Sequence, residues 1–299
     1  MNGMGSDRPS PRGEALLDRL GPRQRELLAS WFPRIEPCAD HSWGLVDTVV
    51  LEATVPSARG DARVIVKAGG PSDHHIGREI RAHRDWTGPW RRTGSAPELL
   101  RADDDARLLV TSYLPGRLVL DTPAAEDPDS YLQAGRLLAE LHDQMSVSDP
   151  TFWARHRDRA LRFLDSAHAI DDGIAASARD EVENWPTPPA VLVPTHGDFH
   201  PRNWLVDPGG TVRIIDLGRA DLRPRIEDLT RMTSREFVGR PDLDAAFCEG
   251  YGSDPRTEDP AGWRRALLGE AIGTAVWAHQ VGDAPFEAHG HRMLAELLG

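Results

Sequence analysis

Apolar positions recur at two different periods along this 299-residue chain, and the period changes part-way through. Leu16, Leu17 and Leu20, then Leu27, Leu28 and Trp31, keep helical spacing and predict two short helices, Glu14–Leu20 and Arg23–Trp31, parted by Gly21-Pro22. The next stretch reads as strands. Thr48–Val55 is β-rich, Ala62–Lys67 is a strand turned by Gly69-Gly70-Pro71, and Ala96–Leu100 and Leu108–Tyr113 flank the turn Asp103–Asp105. One helix interrupts them, from about His74 to Trp86, with Ser72 or Asp73 as its cap. Ile76, Ile80 and His83 mark its apolar face and Glu79 its edge.

The pattern breaks at Leu114-Pro115-Gly116, and helical spacing dominates from there. Leu132, Leu137, Leu138 and Leu141 face one way within Tyr131–Met145, and His142 closes that face as a packed histidine. Helical patterns also cover Phe152–Ala169, Ile174–Trp185, Leu243–Tyr251, Trp263–Val281 and Phe286–Leu298, with a further helix opening at Arg225–Leu229. Between them lie a buried strand, Ala190–Val193, and a hairpin of Trp204–Val206 with Val212–Ile215 across Asp207-Pro208-Gly209-Gly210. Strands first and helices afterwards make the class α+β. No repeat of solenoid period is present.

The chemistry gathers around that hairpin, in Thr195-His196-Gly197-Asp198-Phe199-His200-Pro201-Arg202-Asn203 and Ile214-Ile215-Asp216-Leu217-Gly218-Arg219. Asp198 stands on a loop five positions before Asn203, and the hairpin would return Asp216 beside Asn203. A carboxylate that orients a hydroxyl, followed by an amide and a second carboxylate as hard oxygen ligands for Mg²⁺, is what phosphoryl transfer requires. The string His196-x-Asp198-x-His200 also admits a zinc hydrolase with Asp216 as a further ligand. That reading leaves Lys67, Glu79, Asn203 and the Leu114 break without a role.

Composition sharpens this in two places. Of 35 basic residues Lys67 is the only lysine, so one position keeps a compact ammonium where an arginine fork is not equivalent. The net charge of −12 disfavours a nucleic-acid surface and suits a cationic substrate. Two cysteines, Cys38 and Cys248, fit a reducing cytoplasm, no apolar run approaches a membrane span, and Met1–Arg12 is not a signal peptide.

The His-Gly-Asp and Ile-Asp-x-Gly segments resemble the catalytic and metal loops of the aminoglycoside phosphotransferase family, small-molecule kinases with a protein-kinase-like fold. The resemblance implies a bilobal fold: an N-terminal antiparallel-sheet lobe with one key helix (1–114), then a mainly helical C-terminal lobe with the catalytic loops and acceptor site (115–299). It implies ATP, or GTP, with two Mg²⁺ in the cleft. Asp198 would be the base and Asn203 and Asp216 the metal ligands. Lys67 would hold the α/β-phosphates with Glu79 as its partner. The Ser112 carbonyl and Leu114 amide would bind the adenine edge, with Thr111 behind it. The phosphate-covering turn carries a single glycine, Gly44, fewer than such turns use. His196 would orient the loop backbone, Asp228 would brace it, and Arg219 would either reach the transferred phosphate or brace the metal loop. The acceptor expected is a small cationic antibiotic of aminoglycoside or basic peptide type, with resistance as the outcome. A metabolite such as choline, homoserine or a sugar is the alternative. Asp242, Asp244, Glu249, Asp254, Glu258 and Asp259 would form an acidic wall for the acceptor.

Overall fold

The computed structural model describes residues 15–42, 48–58 and 60–299, which leaves Gly44 outside the described residues. Contacts group the chain into two units: 1–125 with 201–221, and 126–200 with 222–299. The grouping is discontinuous where a single cut after Leu114 was expected. The physical reason is strand pairing, since the hairpin after the catalytic loop joins a strand that follows the Leu114 break.

The first unit is built on a five-stranded antiparallel sheet in the order β1 (Glu36–Asp40), β2 (Thr48–Ser57), β3 (Gly60–Gly69), β5 (Leu108–Ser112), β4 (Leu99–Asp103). Alternation along the strands splits it into two apolar faces. Leu51, Ala53, Val55, Val64, Val66, Leu108 and Val110 pack with Leu20 and Leu28, the latter on the helix Pro22–Trp31. On the other face Leu109 meets Ile76 and Ile80 of the helix His75–Asp85. Lys67 sits across from Leu109 in the β3–β5 register and so shares that helix-covered face. Burying Ile76 and Ile80 contributes about 2 kcal/mol each, which ties the helix to β5, the strand paired with the one that bears the lysine. The helix is started by Asp73, whose Oδ1 accepts from the backbone N–H of His75 and of Ile76, both at 2.9 Å.

A second sheet in this unit runs β10 (Val212–Ile214), β9 (Trp204–Val206), β6 (Arg117–Leu118). The hairpin pairs Val212 with Val206 and Ile214 with Trp204. Its turn is fixed by Asp207 Oδ1, which accepts from Gly209 N at 2.8 Å and Thr211 N at 3.0 Å. β6, which the sequence pattern does not announce, pairs with Val206 and Leu205. Gly116 permits the approach: its φ is +150°, and a Cβ there would lie 3.0 Å from the Val206 carbonyl oxygen.

The second unit is mainly helical, with Pro128–His142, Phe152–Asp165, Asp172–Glu183, Pro241–Tyr251, Pro260–Val281 and Ala284–Leu298 as its main helices. Several begin earlier than the apolar spacing indicates, because an aspartate caps a proline-led first turn. Asp127 accepts from Asp129 N and Asp259 from Gly262 N. Pro128–His142 crosses Pro241–Tyr251 at two glycines, Gly135 and Gly250. A Cβ would fall 2.3 Å from the Phe247 carbonyl oxygen at Gly135 and 2.0 Å from that of Leu132 at Gly250. A small sheet, β11 (Asp221–Arg223), β8 (Ala190–Thr195), β7 (Val147–Asp149), leads into the catalytic loop.

Candidate active site

In the first unit the lone lysine lies between two carboxylates. Lys67 Nζ is 2.8 and 2.9 Å from the two Glu79 oxygens and 2.9 Å from Asp216 Oδ1. β3 supplies the lysine, the covering helix supplies Glu79, and the turn after β10 supplies Asp216. Burial opposes the ammonium charge, but Asp216 and Glu79 outweigh it and hold the Lys67 pKa above its ordinary value. Burial likewise opposes the Glu79 charge, and Lys67 overcomes it and draws that carboxyl down to about 2. His83, one turn along the helix, stands 3.8 Å from Glu79 Oε1.

Asp216 adopts a left-handed backbone, φ +65°, which few non-glycine residues other than Asp and Asn accept. Ile215 N, just before it, donates to the Asn203 carbonyl at 3.0 Å. That bond fixes the separation of the two candidate metal ligands along their chain segments. Their donors are an amide and a carboxylate, hard oxygens of the kind Mg²⁺ takes. After Asp216 the chain passes close to the helix, where the Gly218 carbonyl oxygen is 2.9 Å from His75 Nδ1. Arg219 is exposed in the turn that follows.

At the end of β5, Ser112 uses its amide and hydroxyl on Glu98: N donates to Glu98 O and Oγ accepts from Glu98 N, each at 2.9 Å. Thr111 beside it is buried, and Leu114 follows half-buried, outside any strand or helix. The Arg63 guanidinium stacks 3.5 Å from the centre of the intervening Tyr113 ring.

In the second unit the catalytic loop hangs on one buried carboxylate. Asp228 Oδ2 accepts from His196 N at 2.8 Å and Oδ1 from Gly197 N at 2.6 Å. His142 Nε2 lies 3.1 Å from Oδ2, and its Nδ1 lies 2.8 Å from the Tyr251 hydroxyl. Because a carboxylate only accepts, Nε2 carries a proton toward Asp228. Burial works against the Asp228 charge, and the His142 bond with the loop amides holds its pKa below the ordinary carboxylate value. His196, fully buried, takes the Asp198 N–H on its Nδ1 at 3.2 Å.

The Asp198 side chain is gripped by two residues that the sequence reading did not assign to it. Arg231 Nη1 forms a short ion pair with Oδ1, and His200 Nε2 is 3.3 Å from the same oxygen. Arg231 Nε also reaches Glu270 Oε1 at 3.4 Å. The available signal for Arg231 was its place three residues beyond Asp228, one helical turn along the same segment. His142, read as a packed histidine, is buried as expected and in addition joins Asp228 to Tyr251.

The zinc reading finds no cage: among the described residues no three His, Cys, Asp or Glu side chains are grouped to hold a metal ion. The acidic wall is largely spent on arginines and caps. Asp242 pairs with Arg240, Asp244 and Asp254 pair with Arg256, and Asp259 caps its helix. Charge counted along the sequence did not reveal these pairings. Among the described residues no helix is long and apolar enough to cross a membrane.

A family model described as the phosphotransferase enzyme family matches residues 78–294. The chain belongs to this family. An aminoglycoside 3'-phosphotransferase of Salmonella typhimurium is 25% identical over 186 residues, which is 57% of this chain and 67% of the relative. The fold resembles a thermostable mutant of aminoglycoside phosphotransferase APH(4)-Ia in ternary complex with ADP and hygromycin B. That likeness has a TM-score of 0.64 at 14% identity, over 91% of this chain and 97% of the other. Choline kinase LicA from Streptococcus pneumoniae gives 0.62 at 11%, over 92% and 96%. The α+β kinase-like architecture is therefore established for this phosphotransferase, as is its class as an enzyme that moves phosphate to an alcohol group.

Proposed function

We propose that this phosphotransferase moves the γ-phosphoryl group of ATP to a hydroxyl of a small cationic antibiotic, and that resistance follows. The observation that carries the reading is the Lys67–Glu79–Asp216 triad, since a strand lysine so held is suited to clasp a triphosphate. Asn203 and Asp216 would hold Mg²⁺, which on binding neutralises phosphate charge. Asp198 accepts or orients the proton of the acceptor hydroxyl, while His196 and Asp228 keep the loop backbone in place. The Ser112–Leu114 segment reads the base, and Lys67 clasps the phosphates. Most of the acceleration comes from positioning and charge, with proton removal a smaller part.

The aminoglycoside relatives favour a polycationic acceptor. With the acidic wall engaged elsewhere, Glu236 is the better candidate to meet an acceptor ammonium. Its Oε2 is buried without a hydrogen-bond partner, and burial raises its pKa although the charge of His200, next but one to Asp198, lowers it. A bound cation would satisfy that oxygen. Glu236→Gln is expected to raise the acceptor KM about tenfold and leave the KM for ATP unchanged.

The deciding experiment is a transfer screen with labelled ATP across aminoglycosides, basic peptides, macrolides, choline and sugars, read by the mass shift of the product. Phosphorylation of a cationic antibiotic, together with raised resistance in a bacterium expressing the chain, supports the proposal. Transfer to choline or a sugar alone overturns it.

A further inference from the structure

The ion pair on the candidate base is unusual in its direction. A carboxylate that must approach an anionic triphosphate is disfavoured there by its own charge, and its orientation is free unless something pins it. Here both grips, from Arg231 Nη1 and His200 Nε2, fall on a single oxygen, Oδ1 of Asp198. Arg231 is itself anchored by Glu270 from the middle of the helix Pro260–Val281. It also follows Asp228 by three residues, so one short segment holds the loop through its amides and through its carboxylate. The guanidinium is largely covered, with 22% of its side chain exposed, so water screens the contact little.

We infer that Arg231, tethered by Glu270, is the positioning residue for Asp198: it fixes the carboxylate's orientation and offsets its charge against the phosphates. This rests on Asp198 being the base. Arg231 contributes by holding a group that reacts and need not touch substrate, so its removal lowers turnover and leaves nucleotide binding alone. A planar fork directs separate nitrogens, Nη1 and Nε, at the two carboxylates, and lysine keeps the charge but not that fixed, planar geometry.

The test is a kinetic cycle on the full chain with ATP and the acceptor identified by the screen. Arg231→Ala is expected to lower kcat about tenfold to a hundredfold with the KM for ATP unchanged. Arg231→Lys is expected to recover part of that loss, as is added guanidinium at millimolar concentration with Arg231→Ala. In an Asp198→Asn background, Arg231→Ala is expected to cost nothing further, because its effect passes through the missing carboxylate. Glu270→Gln, a milder change, gives a smaller loss in the same direction and carries the test should Arg231→Ala fail to fold. A loss that is equally large without Asp198, or is insensitive to lysine and guanidinium, overturns the inference, as does unchanged kcat in Glu270→Gln and Arg231→Lys. Full turnover by Asp198→Asn alone is the separate outcome in which the base assignment itself fails.

Discussion

Each of the two units places a cation between two carboxylates, yet the roles are reversed. In the first, Lys67 is the proposed working group, and Glu79 and Asp216 hold it by ion pairs. In the second, Asp198 is the proposed working group, and Arg231, with Glu270 behind it, does the positioning. The two cations differ in how they reach their carboxylates. Lys67 meets both from a single nitrogen, a compact ammonium on a flexible stem, whereas Arg231 meets them from different nitrogens of a planar fork, Nη1 and Nε. Exposure differs as well. Glu79, proposed as a pure support, has 4% of its side chain exposed, while Asp216, proposed also to meet a metal ion, has 51%.

The largest effect should come from the brace beneath the second triad. Asp228→Ala strips a buried carboxylate from His142 and two loop amides and is expected to cost about 3–5 kcal/mol, read by denaturant unfolding. A loss below 1 kcal/mol would show that the loop stands without it. Asp198→Asn should keep the fold and lower kcat by on the order of a hundredfold or more, with ATP binding intact. Lys67→Met should do the opposite, lowering kcat/KM for ATP by about tenfold or more through weaker productive nucleotide binding. Equal effects of these two changes on the KM for ATP would erase the contrast between the units. The mildest test is titration. Glu79 has a folded pKa of about 2 against an ordinary 4.5, so its contribution to stability is complete above pH 4.5 and fades as pH falls toward 2. Glu79→Gln should flatten the stability profile in that window, and an unaltered acid slope would mean that the Lys67 pair contributes nothing there.

Much of this was legible in the chain because the signals are local or periodic. The single lysine, the period-2 runs on either side of it and Glu79 at the edge of an amphipathic helix place two members of the first triad in advance. The hairpin turn Asp207–Gly210 implies the return of Asp216. Some short strands were not legible. Arg117–Leu118 and Val147–Asp149 lack the turn that announces the equally short Trp204–Val206 and Val212–Ile214, and they exist because a partner strand offers free backbone groups. The acidic residues of 242–259 looked like a binding wall, since sequence counts charge without its pairing. Arg240 and Arg256 pair with three of the six, and Asp259 is taken up as a helix cap.

The chain alone determined the order of sheet and helices, the residue types proposed to carry the chemistry and the single lysine among the basic residues, because side-chain period and chemical identity are properties of short stretches. Only the tertiary structure decided which charges meet. Arg231 and Glu270 stand 33 and 72 positions from Asp198, and folding brings Arg231 onto that carboxylate and Glu270 onto Arg231. Ion pairing depends on distance in space, and spacing along the chain does not encode it.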